Sequence, residues 1–244
     1  MAVPRPPERP HFVLAGGHHL VAFGPHGRSG EFATLLPPDG DAYLRVQWTG
    51  SVAPGCHLAL HVDAVEDAVE EARELGASAP GTNATANLGL TSPGSLSCCV
   101  VGGGGHAHRP APTAWDWGGY SLVDQVCLDI PADAHERECA FWSAMTGWSR
   151  RRGPRPEFEY LERAGGMPLR LLLQRLDDGG GGPCRAQLDL ACDDVSAECE
   201  RHGQLGATVV RAMPNWTTLP DPAGLHYCVT RRDPLTGTLP ALPP

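Results

Sequence analysis

Asp189 and His226 have the residue types for general acid–base chemistry. Each lies on a stretch whose pattern reads as a strand, "AQLDLA" and "LHYCVTR". The chemistry needs the fold to bring the two together; an aspartate at a strand end would only face water. Metal binding would need clustered His, Cys, Asp or Glu. His57 and His61 lie four residues apart on a strand-like stretch. That is roughly 13 Å at the usual strand rise, too far to share one ion at about 2 Å per bond. The nine cysteines show no CxxC pair and no zinc-finger spacing. Cys98 and Cys99 are adjacent on a strand and point to opposite faces. The "HAH" of His106–His108 reads as a mobile polar segment among Gly and Pro, and His18–His19 take the same reading. The glycine runs "GGGGHAHR" and "DDGGGGPCR" lack a following Lys-Ser/Thr or helix, so no phosphate cradle is expected.

These residues are carried by a chain of 244 residues, enough for one large domain or two ordinary ones. The net charge is −9, with the acids dispersed. That excludes nucleic acid and anionic membrane surfaces as expected partners. The basic run Arg150, Arg151, Arg152 and Arg155 reads as a solvated loop. Cys127, Cys184 and Cys228 sit in apolar runs, where a free thiol behaves as a small hydrophobe. An odd cysteine count, no convincing secretory signal and no stretch long enough to span a bilayer fit a cytoplasmic location.

The chain repeats itself. "CHLALHVDAVEDAVEEARELGA" from Cys56 returns as "CRAQLDLACDDVSAECERHGQLGA" from Cys184. "GEFATLLPPDGDAYLRVQ" parallels "PEFEYLERAGGMPLRLLLQ", and "SPGSLSCCVV" parallels "DPAGLHYCVT", in the same order. Two related domains follow, residues 1–105 and 120–235, joined by a Gly/Pro-rich linker at 106–119 and ending in a tail, 236–244. In the second half "VDQVCLDI" alternates: Val126, Leu128 and Ile130 share one face, Gln125, Cys127 and Asp129 the other. "DAHERECAFWSAMTGW" is predicted helical and ends at Gly147. Strands "FEYLER" and "LRLLLQR" follow, with room for one more after Gly147. The order then restarts with "AQLDLA", a helix capped by Asp193 or Asp194 and closed by Gly206, and strands "TVVRA", "WTTL" and "LHYCVTR". In the first half Asp63 and Glu66 form an expected capping box before a stripe of Val65, Val69, Ala72 and Leu75, with Gly76 at C′. The stretch "RPHFVLAGGHHLVAFGPHGRSG" is expected to supply a strand, in an irregular first module.

Paired βαβββ modules, "AFWSAMTGW", "DPAGLHYCV" and "LALHVDAVEDAVEEARELGA" resemble the vicinal oxygen chelate superfamily, and within it the glyoxalase-like group. Glyoxalase I, bleomycin-resistance proteins and extradiol dioxygenases belong to that superfamily. The resemblance implies an α+β fold of tandem domains, each an open cup with helices outside and ligand inside. It also implies that metal-dependent members place His or Glu on the first and last strand of each module. In the second domain the matching residues are Gln125, Gln174, Gln187 and Cys228. In the first they are Gln47, His57 and Cys99, with no fourth. Amides are poor ligands for Zn, Ni or Fe, so no metal is expected; His57 with Cys99 is the one weaker candidate for a divalent ion.

With those positions facing inward, alternation brings neighbours along. Asp129, Arg170, Asp189 and His226 join the second cup, with Trp148, Tyr160 and Trp216 as an aromatic rim. Tyr43, Arg45, Gln47, His57, His61, Ser97 and Cys99 would line the first. The resemblance then implies a protein that binds a small organic molecule, hydroxylated or cationic, without metal, as bleomycin-resistance proteins do. The alternative is a metal-dependent lyase, isomerase or dioxygenase of glyoxalase type. The expected assembly is a monomer with an internal pseudo-dimer, or a homodimer.

Overall fold

A computed structural model of the protein describes residues 19–20, 32–47, 55–79, 87–103, 108–177 and 181–240. The first-half strands are β1 (His19–Leu20), β2 (Phe32–Leu36), β3 (Leu44–Gln47), β4 (Leu58–Val62), β5 (Asn87–Thr91) and β6 (Ser97–Gly102). Helix α1 (Val65–Glu74) follows β4. The second half holds β7 (Thr113–Ala114), β8 (Tyr120–Ile130), α2 (His135–Thr146), β9 (Ser149–Arg152), β10 (Phe158–Glu162) and β11 (Arg170–Arg175). It continues with β12 (Arg185–Cys192), α3 (Val195–Gln204), β13 (Arg211–Ala212), β14 (Trp216–Pro220) and β15 (His226–Thr230). The class is α+β. Most of the stretch expected to supply an early strand lies outside the described residues, as do His18 and His106.

The second half builds one nine-stranded sheet in the order β13-β14-β15-β12-β8-β11-β10-β9, with β7 on β8. Each module places its first and last strands side by side and parallel: β8 with β11, and β12 with β15. The modules join through the antiparallel β8–β12 pair. The four central strands are therefore those on which the repeat wrote its Gln and Cys positions. The segment expected to be only a linker contributes β7. The basic run is no loop: β9 is an edge strand, with Arg150 paired to both Glu136 and Glu159 and Arg151 to Glu162. Strand β13 is shorter than the pattern suggested, because Val209 and Val210 face solvent.

Among the described residues the first half forms two separate three-stranded sheets, β1-β2-β3 and β4-β6-β5. Both pack on the outer, helix-bearing side of the large sheet. Val69, Leu90, Cys98 and Val100 share a core with Val126, Leu128, Phe141 and Trp142. Leu35 and Leu44 share another with Val123, Leu190 and Val229. The alternation of β8 sends its apolar side chains into these cores and its polar ones to the opposite face.

The helix ends follow local chemistry. Asp194 caps α3, its Oδ1 accepting from the Ala197 N–H at 3.0 Å. Gly147 ends α2 in the left-handed region at φ 67°, where a side chain would be strained. The capping box expected at α1 is absent: the N-cap is Ala64, which offers no side-chain oxygen. Glu66 and Asp67 instead lie in the first turn, favourable to the helix dipole.

Candidate functional site

Register decides which side chains share the concave face of the large sheet. Across the four central strands Arg170, Gln125, Asp189 and Cys228 stand in one row, with Thr218 of β14 next to Cys228. One step along, Cys127 faces Leu172 and Gln187; beyond it Asp129 faces Gln174 and Arg185. Tyr160 of β10 pairs with Leu172 and Phe158 with Gln174. Gln174 and Gln187 thus lie on the inner face but not in the row of Gln125.

The sheet rolls up. Five strand steps separate β10 from β14, roughly 24 Å in a flat sheet. Yet the Phe158 and Trp216 rings meet edge to face at 5.8 Å. The Arg155 guanidinium lies 5.9 Å from the first ring centre and 5.7 Å from the second. The sheet is therefore a cup, and these three side chains bridge its lip.

Inside, the Gln125 amide is held at both ends. Its Nε2 donates to Asp189 Oδ2, and its Oε1 accepts from Arg170 Nε at 2.5 Å. Arg170 also lies over the Tyr160 ring at 5.0 Å. Burial lowers the Arg170 pKa to about 10, which leaves it cationic at neutral pH. Asp189 is 3% exposed, and its Oδ1 has no hydrogen-bond partner among the described residues. Burial raises its pKa to about 7 against the opposing Gln125 hydrogen bond. Burial likewise raises Asp129, while Arg185, the Cys127 hydrogen bond and His226 lower it. Gln187 Nε2 donates to Cys228 Sγ at 3.5 Å, and the Cys127 thiol donates to Gln174 Oε1 at 3.6 Å. Burial pushes both thiols well up, so neither is a ready thiolate.

Several expected positions fall elsewhere. Asp189 finds Gln125 rather than His226, which is exposed and acts electrostatically on Asp129. Trp148 is no rim residue: it packs into the helix-side core. Arg45, Gln47 and His57 are all exposed, and they sit on two different small sheets or beside them. Tyr43 leaves the first half altogether, donating its hydroxyl to the Val123 carbonyl. Phe158 was missed although it sits two residues from Tyr160 on an alternating strand. Asp124 could not be read from alternation, because a bulge in β8 leaves it unpaired between Val123 and Gln125. It is fully buried against Arg232 and Arg109.

Family-model comparison finds that residues 125–230 match the family described as "Glyoxalase-like domain". The match falls on the part of the chain that builds the large sheet, and it is the second half alone that is similar to that family. No curated protein sequence matches the chain. Solved structures of similar fold include a variant of homoprotocatechuate 2,3-dioxygenase from B. fuscum, at TM-score 0.58 and 14% identity, covering 93% of this chain and 67% of that one. A 2,2',3-trihydroxybiphenyl 1,2-dioxygenase from Sphingomonas wittichii matches at TM-score 0.55 and 13% identity, over 89% and 83%. A catechol 2,3-dioxygenase matches at 0.55 and 11%, over 93% and 83%. At such identities the likeness is one of fold.

The residues of the cup do not suit a divalent ion. The Gln125 oxygen is already an acceptor for Arg170, whose charge would repel a cation at the same place. Among the described residues no group of three or more His, Cys, Asp or Glu side chains is placed to hold an ion.

Proposed function

We propose that the glyoxalase-like domain binds a small hydroxylated or cationic organic molecule in its cup, with no metal ion as intermediary. The observation that supports this reading most is the fixed row Arg170–Gln125–Asp189 at the base of an aromatic-lipped cup. Where a metal-dependent relative needs ligands, this chain has a hydrogen-bonding surface of its own. Arg170 can donate to an oxygen of the ligand. Asp189 accepts from a hydroxyl or ammonium when ionised, and donates when protonated. Phe158 and Trp216 supply apolar contact at the lip, and few directed polar groups in a concave site suffice for specificity.

The alternative, a metal-dependent lyase, isomerase or dioxygenase, draws support from the fold of the dioxygenases alone. It would need ligands beyond those the cup presents. The test is a thermal-shift screen of hydroxylated and cationic aromatic compounds, each hit titrated against the wild type and Asp189→Asn and Trp216→Ala. Hits weakened by both substitutions support the cup as the site. Hits indifferent to both, or no hit at all, oppose it.

A further inference from the structure

On the far side of the sheet from the cup lies a second cavity, of about 330 Å³. It opens between the C-terminal end of α3 and the β14–β15 turn. Its walls are apolar, with Val123, Leu188, Leu190, Leu205 and Leu225 among the lining side chains. Its polar lining is Tyr227 and His202, with Thr208, His226 and Asp221, whose Oδ1 already accepts from the Ala223 and Leu225 N–H groups at 2.8 Å. The size is at the lower end of small-molecule sites.

Tyr227 is the end of a buried relay. His202 Nδ1 lies 2.7 Å from the Tyr227 hydroxyl, and His202 Nε2 lies 3.2 Å from Glu198 Oε1. His202 is 2% exposed and Glu198 fully buried. Burial would raise the Glu198 carboxyl, but His202 and Arg201 together hold it below the usual range. Arg201 donates to both Glu198 oxygens, at 2.7 and 3.1 Å. Its guanidinium is in turn stacked 3.8 Å over the Trp115 ring. Every member is thus locked by the next.

The locking fixes the direction of the hydrogen bonds. A carboxylate only accepts, so His202 Nε2 carries a proton and donates to Glu198. An imidazole that donates from Nε2 alone accepts at Nδ1, and there it takes the Tyr227 O–H. Burial raises the Tyr227 pKa to about 12, so the residue stays a phenol. Its only proton is spent on His202. What the phenol oxygen has left for the cavity is lone pairs.

We propose that this cavity is a second ligand site, independent of the cup, for a small apolar molecule bearing a hydroxyl or amino donor that Tyr227 accepts. The proposal stands whether or not the cup binds anything.

The probe is 2-naphthol, titrated at pH 8 by fluorescence and by amide chemical shifts. Its control is 2-methoxynaphthalene, the same ring without a donor. The wild type is expected to bind 2-naphthol saturably, with shifts at Leu205, Leu225 and Tyr227, and about tenfold more tightly than the ether, the value of one hydrogen bond. Tyr227→Phe should lose that tenfold preference and bind the ether unchanged. Leu205→Trp should abolish binding of both by filling the cavity; Leu205 is half exposed, so the substitution is tolerated. The cup variant Trp216→Ala should change neither. No saturable binding of 2-naphthol would overturn the proposal. So would equal affinity for the two probes, insensitivity to Leu205→Trp, or loss of binding in Trp216→Ala.

Discussion

Phe158 and Trp216 touch at 5.8 Å although four strands lie between their own. Each is fixed by register, Phe158 opposite Gln174 and Trp216 opposite Thr230. Their contact draws the two module halves of the sheet around a common interior. A strand pair cannot do this, because β10 and β14 share no hydrogen bond. The closure is a side-chain event, and it can be tested without touching the backbone.

Phe158→Ala and Trp216→Ala should each destabilise the protein, and their double-mutant cycle should return a coupling of about 0.5–1.5 kcal/mol. Urea denaturation of the four species measures it. A coupling indistinguishable from zero would mean that the lip does not hold the cup closed.

Asp189 should give stability an unusual pH dependence. Its folded pKa is raised to about 7 from an ordinary value of 3.8, chiefly by burial. Between those values the folded state holds a proton that the unfolded state has released. Stability from this group is therefore fully present near pH 4 and is lost as pH rises through 7. Asp189→Asn should remove that slope and raise stability at pH 8 by roughly 2–4 kcal/mol relative to pH 4. Denaturant melts across pH for both proteins check it; parallel profiles would contradict it.

Glu138 joins the two halves. Its carboxylate accepts from Ser92 Oγ at 2.6 Å, the Gly94 N–H at 2.6 Å and Trp142 Nε1 at 2.7 Å, all buried. Glu138→Ala strands these donors and should cost about 3–5 kcal/mol. Gly94→Ala should also destabilise, since its Cβ would come within 2.8 Å of Glu138 Oε2. Thermal unfolding of both variants measures the joint; a loss under 1 kcal/mol in each would refute it.

The segment after β15 is held by arginines. Arg109 donates to the carbonyls of Pro234 and Leu235, and Arg232 Nε donates to that of Gly237 at 3.2 Å. Both also pair with buried Asp124. Arg109→Ala should release this segment, seen as faster tryptic cleavage at Arg231 and Arg232 with the remainder of the chain intact. An unchanged cleavage rate would show that the clamp is dispensable.

Much of this was legible in the residues. The resemblance implied the cup, and strand alternation gave most of its inner face, because strand periodicity is local. Gln125, Asp129, Arg170, Gln174, Gln187, Asp189 and Cys228 all lie on that face. What stayed hidden depends on register or tertiary closure. Pairing of Asp189 with Gln125 rather than His226 follows from strand offset. Asp124 is masked by a bulge that breaks the two-residue period. Trp148 carries the type of a rim residue, yet it follows a left-handed Gly147 that turns it toward the core. The Glu198–His202–Tyr227 relay joins a helix to a strand, and nothing in its spacing announces it.

The most direct measurement is the metal content of protein purified without chelator, followed by melting with added Zn, Ni, Mn and Fe(II). A cup that reads its ligand through Arg170, Gln125 and Asp189 predicts substoichiometric metal and no shift with any ion. One equivalent of bound metal, or a rise of several degrees with one ion, would contradict it.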